Sequence, residues 1–415
     1  MSRKGRKLAA AFACAASLLT STAVFAQAPY ADTHTATLRC LYQDLTDPTG
    51  ARTGEIEAPG SIAGTWRYPK VWSWSKFFTT YTPQAEVDAL CEKAVAGLPD
   101  ARYVQARVAG TGLLQLSYQI WYTGDVKPDA PIERIVSFGD SLTDTGNMST
   151  VSQTFLSFFG GALPSSTWFA GRFSNGPSWV EYLASRNALT HNSWAVGGAQ
   201  TEDAQFGLIN GIESQIKSFF DSVDVIPDYK PERTLFTFLV AGNDFVNDSK
   251  YATDIVRLQR EALNNLVDGG ARKILVVELP NVSVAPVFDM GRKDREAVHQ
   301  RVYTYNSGLD GIIANVKKRA QEQGILDLEI RKVPAYAKFD QVLRSPASYG
   351  FDNIKNSCLE IDSDSFFNYI KTPKPRDYCV ADRFMFWDTL HPSTKMHEVM
   401  SRWATEYGAP AWELK

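Results

Sequence analysis

From Ile132 onward the chain alternates short apolar runs with helical patterns, and this rhythm constrains the fold more than any other feature of the sequence. The runs are Ile135 to Phe138, Thr234 to Val240 and Ile274 to Leu279, rich in β-branched residues and phenylalanine. The helical patterns include Gly211 to Phe220, Thr253 to Val267 and Arg295 to Gln321. A strand that is apolar along its length has no face to give to water, so both faces of its sheet must be covered. Strands that alternate with helices in this way build a parallel sheet with helices on both sides. The expectation is an α/β, doubly wound, mostly parallel sheet over residues 132–415.

Residues 27–128 read differently. Trp66, Tyr68, Trp72, Trp74, Phe77, Phe78 and Tyr81 crowd together, and Leu114, Leu116, Tyr118, Ile120 and Tyr122 alternate with the period of a strand. Pro83 to Leu98 reads as a helix opened by Thr82 and Pro83, with Val87, Leu90, Cys91, Ala94, Val95 and Leu98 on one face. These signals predict a small, mostly β N-terminal domain with one helix. Gly124, Asp125, Pro128, Asp129 and Pro131 then make residues 123–131 a linker. There is no internal repeat and no low-complexity tract.

At the N-terminus, Arg3, Lys4, Arg6 and Lys7 precede an apolar stretch from Leu8 to Ala26 that ends on Val24-Phe25-Ala26. This pattern predicts a secretory signal peptide, residues 1–26, and a secreted product. Its removal leaves 389 residues and moves the formal net charge from −3 to −7. Such a charge argues against a nucleic-acid partner. No later segment is long and apolar enough to span a bilayer. Four cysteines remain, Cys40, Cys91, Cys358 and Cys379, and an even number in an exported chain points to disulfides with three formal pairings. Cys91 lies on the inward face of its helix, and Leu38, Cys40 and Tyr42 share one face of the preceding strand. The expected bridges are Cys40–Cys91 and, by locality, Cys358–Cys379.

In doubly wound sheets, functional residues gather on loops beyond the carboxyl ends of the strands. Ser141 follows the first run in Gly139-Asp140-Ser141-Leu142, Asn243 follows the second in Ala241-Gly242-Asn243-Asp244, and Gly198 lies in Trp194-Ala195-Val196-Gly197-Gly198-Ala199. A serine hydroxyl is a weak nucleophile at neutral pH, so it needs a base, an acid to orient the base, and donors for the oxyanion. Asp388-Thr389-Leu390-His391 supplies the first two in one local segment. An imidazole titrates near neutrality and can take the serine proton, and an aspartate three residues earlier can hold its other nitrogen. Glycine at 198 lets a backbone N–H approach an oxyanion closely. Gly197 leaves that register open by one, either glycine also reads as a turn residue, and Asn243 also reads as an Asx turn.

Other features read as structural. Asp140 and Asp244 are expected as hydrogen-bond acceptors. Glu296 and His299 repeat the acid–base spacing but fall mid-helix beside Arg295, Gln300 and Arg301, on a solvated face. Phe155, Leu156, Phe158 and Phe159 read either as an acyl-chain groove or as ordinary core. There is no His-Glu-x-x-His, no paired Cys-x-x-Cys and no phosphate loop, so neither metal nor cofactor is expected.

Taken in order, these motifs resemble the SGNH or GDSL family of serine hydrolases, whose first block is matched by Phe138-Gly139-Asp140-Ser141-Leu142-Thr143-Asp144-Thr145-Gly146-Asn147. The resemblance implies a flavodoxin-like three-layer fold. It implies Ser141 as nucleophile and first oxyanion donor, Gly198 and Asn243 as the other donors, and Asp388 and His391 as acid and base. It extends to Trp168–Pro177 and Leu279–Ser283, which resemble the branch of bacterial secreted phospholipases and glycerophospholipid:cholesterol acyltransferases. Arg39-Cys40-Leu41-Tyr42 is similar to the front of the thermolabile haemolysin type of phospholipase. The implied activity is that of a phospholipase A or lysophospholipase, attacking phospholipid or another lipid ester at membrane surfaces through an acyl-enzyme, with a sterol as an alternative acceptor. Two other readings stand beside it: a short-chain or carbohydrate esterase with the same triad, and a membrane-active or binding protein with a vestigial hydrolase fold.

Overall fold

The computed structural model describes residues 35–68, 76–110, 116–123, 130–156, 162–203, 209–226, 229–248, 250–292, 294–408 and 411–415. The expected signal peptide, Trp72, Trp74, Leu114, most of the linker, and Phe158 with Phe159 lie outside the described residues, as do the side chains of Phe155 and Leu156.

Six strands build the first sheet: β1 (Thr35–Asp44), β2 (Thr53–Ala63), β3 (Thr65–Arg67), β4 (Phe77–Thr80), β5 (Ala101–Ala109) and β6 (Ser117–Tyr122), in the order β2-β1-β5-β6-β4-β3. Helix α1 (Gln84–Val95) packs on β1, β2 and β5 through Val87, Cys91 and Val95. A disulfide joins Cys91 to Cys40 on β1. Leu90, expected on the inward face, is instead exposed. The buried positions recur every four residues and form a stripe one side chain wide, and Leu90 falls off its edge.

The second sheet comes from the alternating part of the chain. Its strands are β7 (Arg134–Gly139), β8 (Thr190–Ser193), β9 (Thr234–Leu239), β10 (Lys273–Val277) and β11 (Glu329–Val333), all parallel, in the order β11-β10-β9-β7-β8. Every residue of β9 is buried, and so is β7 beyond Arg134. The connecting helices are α2 (Asn147–Leu156), α3 (Trp179–Arg186), α4 (Ile212–Val223), α5 (Gly242–Val246), α6 (Ala252–Asp268), α7 (Arg295–Glu322), α8 (Ala335–Arg344) and α9 (Thr394–Gly408). Among them α4, α6 and α7 pack in succession, while α9 packs on α3 and α8. The result is the flavodoxin-like three-layer arrangement. Two runs end earlier than their composition suggests: Val240 falls outside β9, and Glu278 and Leu279 outside β10.

The strand order fixes where a site can form. After β7 the chain adds β8 on one side, then returns to add β9, β10 and β11 on the other. The connections therefore diverge at the carboxyl end of β7, which is the topological switch point where such sheets open a crevice. Ser141 stands two residues beyond that end.

We propose residues 27–128 and 132–415 as two units, and they share an apolar face. On β6, Tyr118, Ile120 and Tyr122 point into the core of the first sheet, whereas Trp121 joins the core of the second. Phe77 on β4 does the same, with its ring centroid 5.5 Å from that of Trp194. Trp121 lies 6.3 Å from both Trp194 and Phe219, and the guanidinium of Arg134 covers its ring at 3.9 Å. The period-two alternation is thus that of a strand buried on both faces, each toward a different core.

Candidate active site

Gly139 closes β7 where no other residue would fit. A Cβ there would stand 2.3 Å from the carbonyl oxygen of Leu239 on β9. The strands can therefore lie flush at their ends, and the chain turns at once. Gln215 on α4 grips this point from both sides, accepting the Gly139 N–H at 3.0 Å and donating to its carbonyl at 2.9 Å. Beyond it the Asp140 carbonyl accepts the N–H groups of Thr143 and Asp144, and its Oδ1 accepts the N–H of Leu142. The turn leaves Ser141 at its tip, 9% exposed.

His391 and Asp388 arrive from the far end of the chain. The short strands β12 (Asn353–Ser357) and β13 (Phe384–Phe386) pair, and the loop after β13 carries both residues to Ser141. His391 Nε2 lies 2.8 Å from Ser141 Oγ, and its Nδ1 lies 2.9 Å from Asp388 Oδ2. With the carboxylate at Nδ1, the proton resides there and Nε2 is free to accept from the serine. Asp388 is fully buried and well supplied with donors: the N–H groups of Leu390 and His391, each at 2.8 Å, and the indole N–H of Trp168 at 2.9 Å. Burial alone would push its carboxyl up, but the neighbouring His391 and these backbone donors outweigh burial and hold it below the usual value.

Three loops are tied together by acceptors rather than by packing alone. Asp140 accepts the N–H of Gly242 as well as that of Leu142. Asn243 donates from Nδ2 to the Ala199 carbonyl at 3.0 Å, and its Oδ1 accepts from Asn247 Nδ2 at 2.7 Å, which fixes the direction of the amide. Asp244 accepts the N–H of Thr201 at 3.0 Å. Ala241, just before this turn, is held in the left-handed region at φ 90°.

The structure separates Gly197 from Gly198. The Gly197 N–H donates to Asp144 Oδ2 at 2.7 Å, and a Cβ at Gly197 would strike the Phe173 ring at 2.3 Å. Gly198 has φ 82°, a left-handed conformation that favours glycine. Among the described residues, the N–H groups of Ser141 and Gly198 take part in no hydrogen bond. Both are thus available to an incoming oxygen.

The other described histidines serve elsewhere. His191 bonds Ser137 Oγ at 2.7 Å, and burial lowers it to about 4. His397 accepts the Trp179 N–H at 3.3 Å, and burial lowers it to about 3. His299 is half-buried beside Asn281 and Tyr336 rather than on an open face, because α7 is covered there.

Two site residues escaped the sequence reading. Trp168 reaches Asp388 across the fold. Tyr369 sits with its hydroxyl 3.2 Å from His391 Nδ1 and 3.4 Å from Asp388 Oδ1. Phe173 lies 4.9 Å from the imidazole, ring centroid to ring centroid, and belongs to an apolar cluster with Met148, Leu163, Val196, Ala199 and Ile209. An apolar wall therefore adjoins His391 and the Gly198 turn.

Residues 135–404 match the family model described as GDSL-like Lipase/Acylhydrolase. A thermolabile hemolysin of Vibrio parahaemolyticus is 30% identical over 334 residues, covering 79% of this chain and 76% of that protein. A phosphatidylcholine-sterol acyltransferase of Aeromonas hydrophila is 27% identical over 353 residues, covering 73% of this chain and 96% of that protein.

Proposed function

The chain belongs to the GDSL-like lipase/acylhydrolase family, and on that premise we propose that it is an exported lipid acyl hydrolase whose acyl-enzyme forms on Ser141. The observation that carries the reading is the 2.8 Å contact of Ser141 Oγ with His391 Nε2, continued at 2.9 Å to a buried Asp388. Ser141 Oγ attacks the ester carbonyl carbon as His391 Nε2 takes its proton. The oxyanion is held by the N–H groups of Ser141 and Gly198 and by Nδ2 of Asn243. The imidazolium, steadied by Asp388, then protonates the departing alkoxide. Water, deprotonated by His391, attacks the acyl-serine and releases the fatty acid; an alcohol such as a sterol hydroxyl in its place yields a new ester.

The lipid preference draws on the relatives and on the apolar cluster around Phe173 and Ile209, a wall suited to an acyl chain. Export draws on two closed disulfides, Cys40–Cys91 and Cys358–Cys379, which persist in oxidising compartments. Among the described residues no helix is long and apolar enough to cross a membrane. Substrate would then be met at membrane surfaces.

Ser141→Ala should lose about 10⁴-fold or more of turnover. The test is product analysis on phosphatidylcholine and lysophosphatidylcholine vesicles, with and without cholesterol, alongside a short soluble ester. Released fatty acid from phospholipid, absent in Ser141→Ala, supports the reading, and cholesteryl ester would add the transferase outcome. Hydrolysis of the soluble ester alone would replace it by the esterase reading. Membrane damage undiminished in Ser141→Ala would favour a non-enzymatic function.

A further inference from the structure

Arg107 lies on β5, in the N-terminal unit, yet its side chain is buried against the loop that follows β7. Its Nη2 donates to the Thr145 carbonyl at 2.5 Å. The guanidinium also lies close to Gly146, where a Cβ would stand 2.6 Å from Nη2 and 3.0 Å from Nη1. Gly146 has φ 113°, a conformation that favours glycine. Burial and the nearby Arg172 lower Arg107 to about 10, while Glu55, Glu181 and Asp144 favour its charge, so it is a cation at neutral pH. A buried cation is a poor way to stabilise a fold, since an apolar side chain of the same volume often does as well. What it holds is the backbone at Thr145 and Gly146.

Asp144 stands just before these two residues. It is fully buried and accepts four backbone N–H groups: Gly146 at 2.7 Å and Asn147 at 2.6 Å on Oδ1, Met148 at 3.0 Å and Gly197 at 2.7 Å on Oδ2. The last of these crosses from the serine loop to the loop of Gly198. A short physical chain results. Arg107 clamps Thr145 and Gly146, Asp144 precedes them, Gly197 hangs from Asp144, and Gly198 follows Gly197. A second brace comes from β6, where Gln119 Nε2 donates to Asn147 Oδ1 at 3.1 Å and to the Ser193 carbonyl at 2.7 Å.

We propose that Arg107 is a positioning residue for the oxyanion hole: the N-terminal unit supplies a cation that sets Asp144, and through it the separation of the Ser141 and Gly198 N–H donors. This rests on Ser141 being the nucleophile. Arg107 touches no reacting atom. A displacement of about 1 Å at a group that must meet the transition state costs about 10²-fold in rate, so a clamp two bonds removed is enough to matter.

Two full-length variants test it. Arg107→Met keeps the apolar stem and removes the charge and the donors; Arg107→Lys keeps the charge without the planar fork. Turnover is measured on a short soluble p-nitrophenyl ester. Active sites are counted by p-nitrophenolate released when a p-nitrophenyl alkylphosphonate phosphonylates the serine to completion. Per titrated site, kcat of Arg107→Met should fall by about 10- to 100-fold with KM held within about twofold, and Arg107→Lys should fall between it and the wild type. A merely structural arginine would lower the melting temperature or the number of titratable sites and leave kcat per site at the wild-type value; that result overturns the proposal. Should Arg107→Met not fold, Arg107→Lys decides alone: wild-type kcat per site overturns the proposal, and a reduced kcat at unchanged KM supports it. An active Ser141→Ala would instead indict the nucleophile, whereas an inactive Ser141→Ala beside a fully active Arg107→Met counts against Arg107 only.

Discussion

Asp388 and Asn243 follow one rule: a buried polar group is held still by its hydrogen-bond partners. Asp388 takes N–H donors from Leu390, His391 and Trp168 and holds Oδ2 2.9 Å from His391 Nδ1. Asn243 is oriented by Asn247, whose Nδ2 occupies its Oδ1 and so turns Nδ2 toward Ala199. Asn247→Ala should free that amide to rotate and lower kcat on a soluble ester by about tenfold with little change in KM. On the proposed role of that amide, Asn243→Ala sets the scale at about 10²-fold or more. Equal kcat in Asn247→Ala and wild type would show that Ala199 alone suffices. The meeting of Ser141 with the Asp388–His391 pair is readable in the sequence because Ser141 follows a strand-like run and the pair sits within one local segment. Trp168 and Tyr369 are not, since nothing in a linear pattern relates an indole to a carboxylate 220 positions away. The choice between Gly197 and Gly198 likewise needs the backbone, because only the position of Asp144 says whose N–H is taken.

Helix periodicity and apolar runs carry the elements well where one face meets the core. The pattern from Thr253 to Val267 becomes α6 at Ala252–Asp268, and Arg295 to Gln321 becomes α7 at Arg295–Glu322. The strand β8 is invisible to the same reasoning. Its sequence, Thr-His-Asn-Ser, is polar, and it is a strand because its groups are satisfied from outside: Asn192 donates to the Ile120 carbonyl, and the Ser193 N–H goes to Gln119. The segment between Cys358 and Cys379 is a second such case. It carries the turn Phe366–Tyr369, and Tyr369 packs on Trp168 at 5.4 Å and on His391 at 5.6 Å. Replacing both Cys358 and Cys379 by Ala should cost about 3 kcal/mol of unfolding free energy through the released loop, and should also lower kcat as Tyr369 loosens. Replacing Cys40 and Cys91, which join β1 to α1, should lower stability with kcat unchanged. Thermal denaturation and turnover per titrated site measure both, and identical kcat losses for the two pairs would deny the 358–379 bridge any special part.

At the scale of the whole molecule, the two proposed units share a core. Breaker residues between 123 and 131 suggest separable domains, yet Phe77 and Trp121 from the first unit complete a core that contains Trp194, Phe219 and Phe236. Deleting the first unit would bare those rings and leave Arg134, Asn192 and Ser193 without the partners they have in Tyr122, Ile120 and Gln119. Losing two buried aromatics of this kind costs about 3–5 kcal/mol each, against a total stability of about 5–15 kcal/mol. The fragment 132–415 should therefore be insoluble, or lack the near-ultraviolet circular dichroism of fixed aromatic packing. A soluble fragment turning over ester at the full-length rate would contradict the shared core. That same face has a consequence in time. A chain delivered from its N-terminus finishes its first sheet while Trp121 and Phe77 still lack the rings that cover them, which arrive only with residues 194–236. Until then the newborn protein is a folded surface with an adhesive side, and how fast its second half follows decides whether that side meets its own sequence or a stranger's.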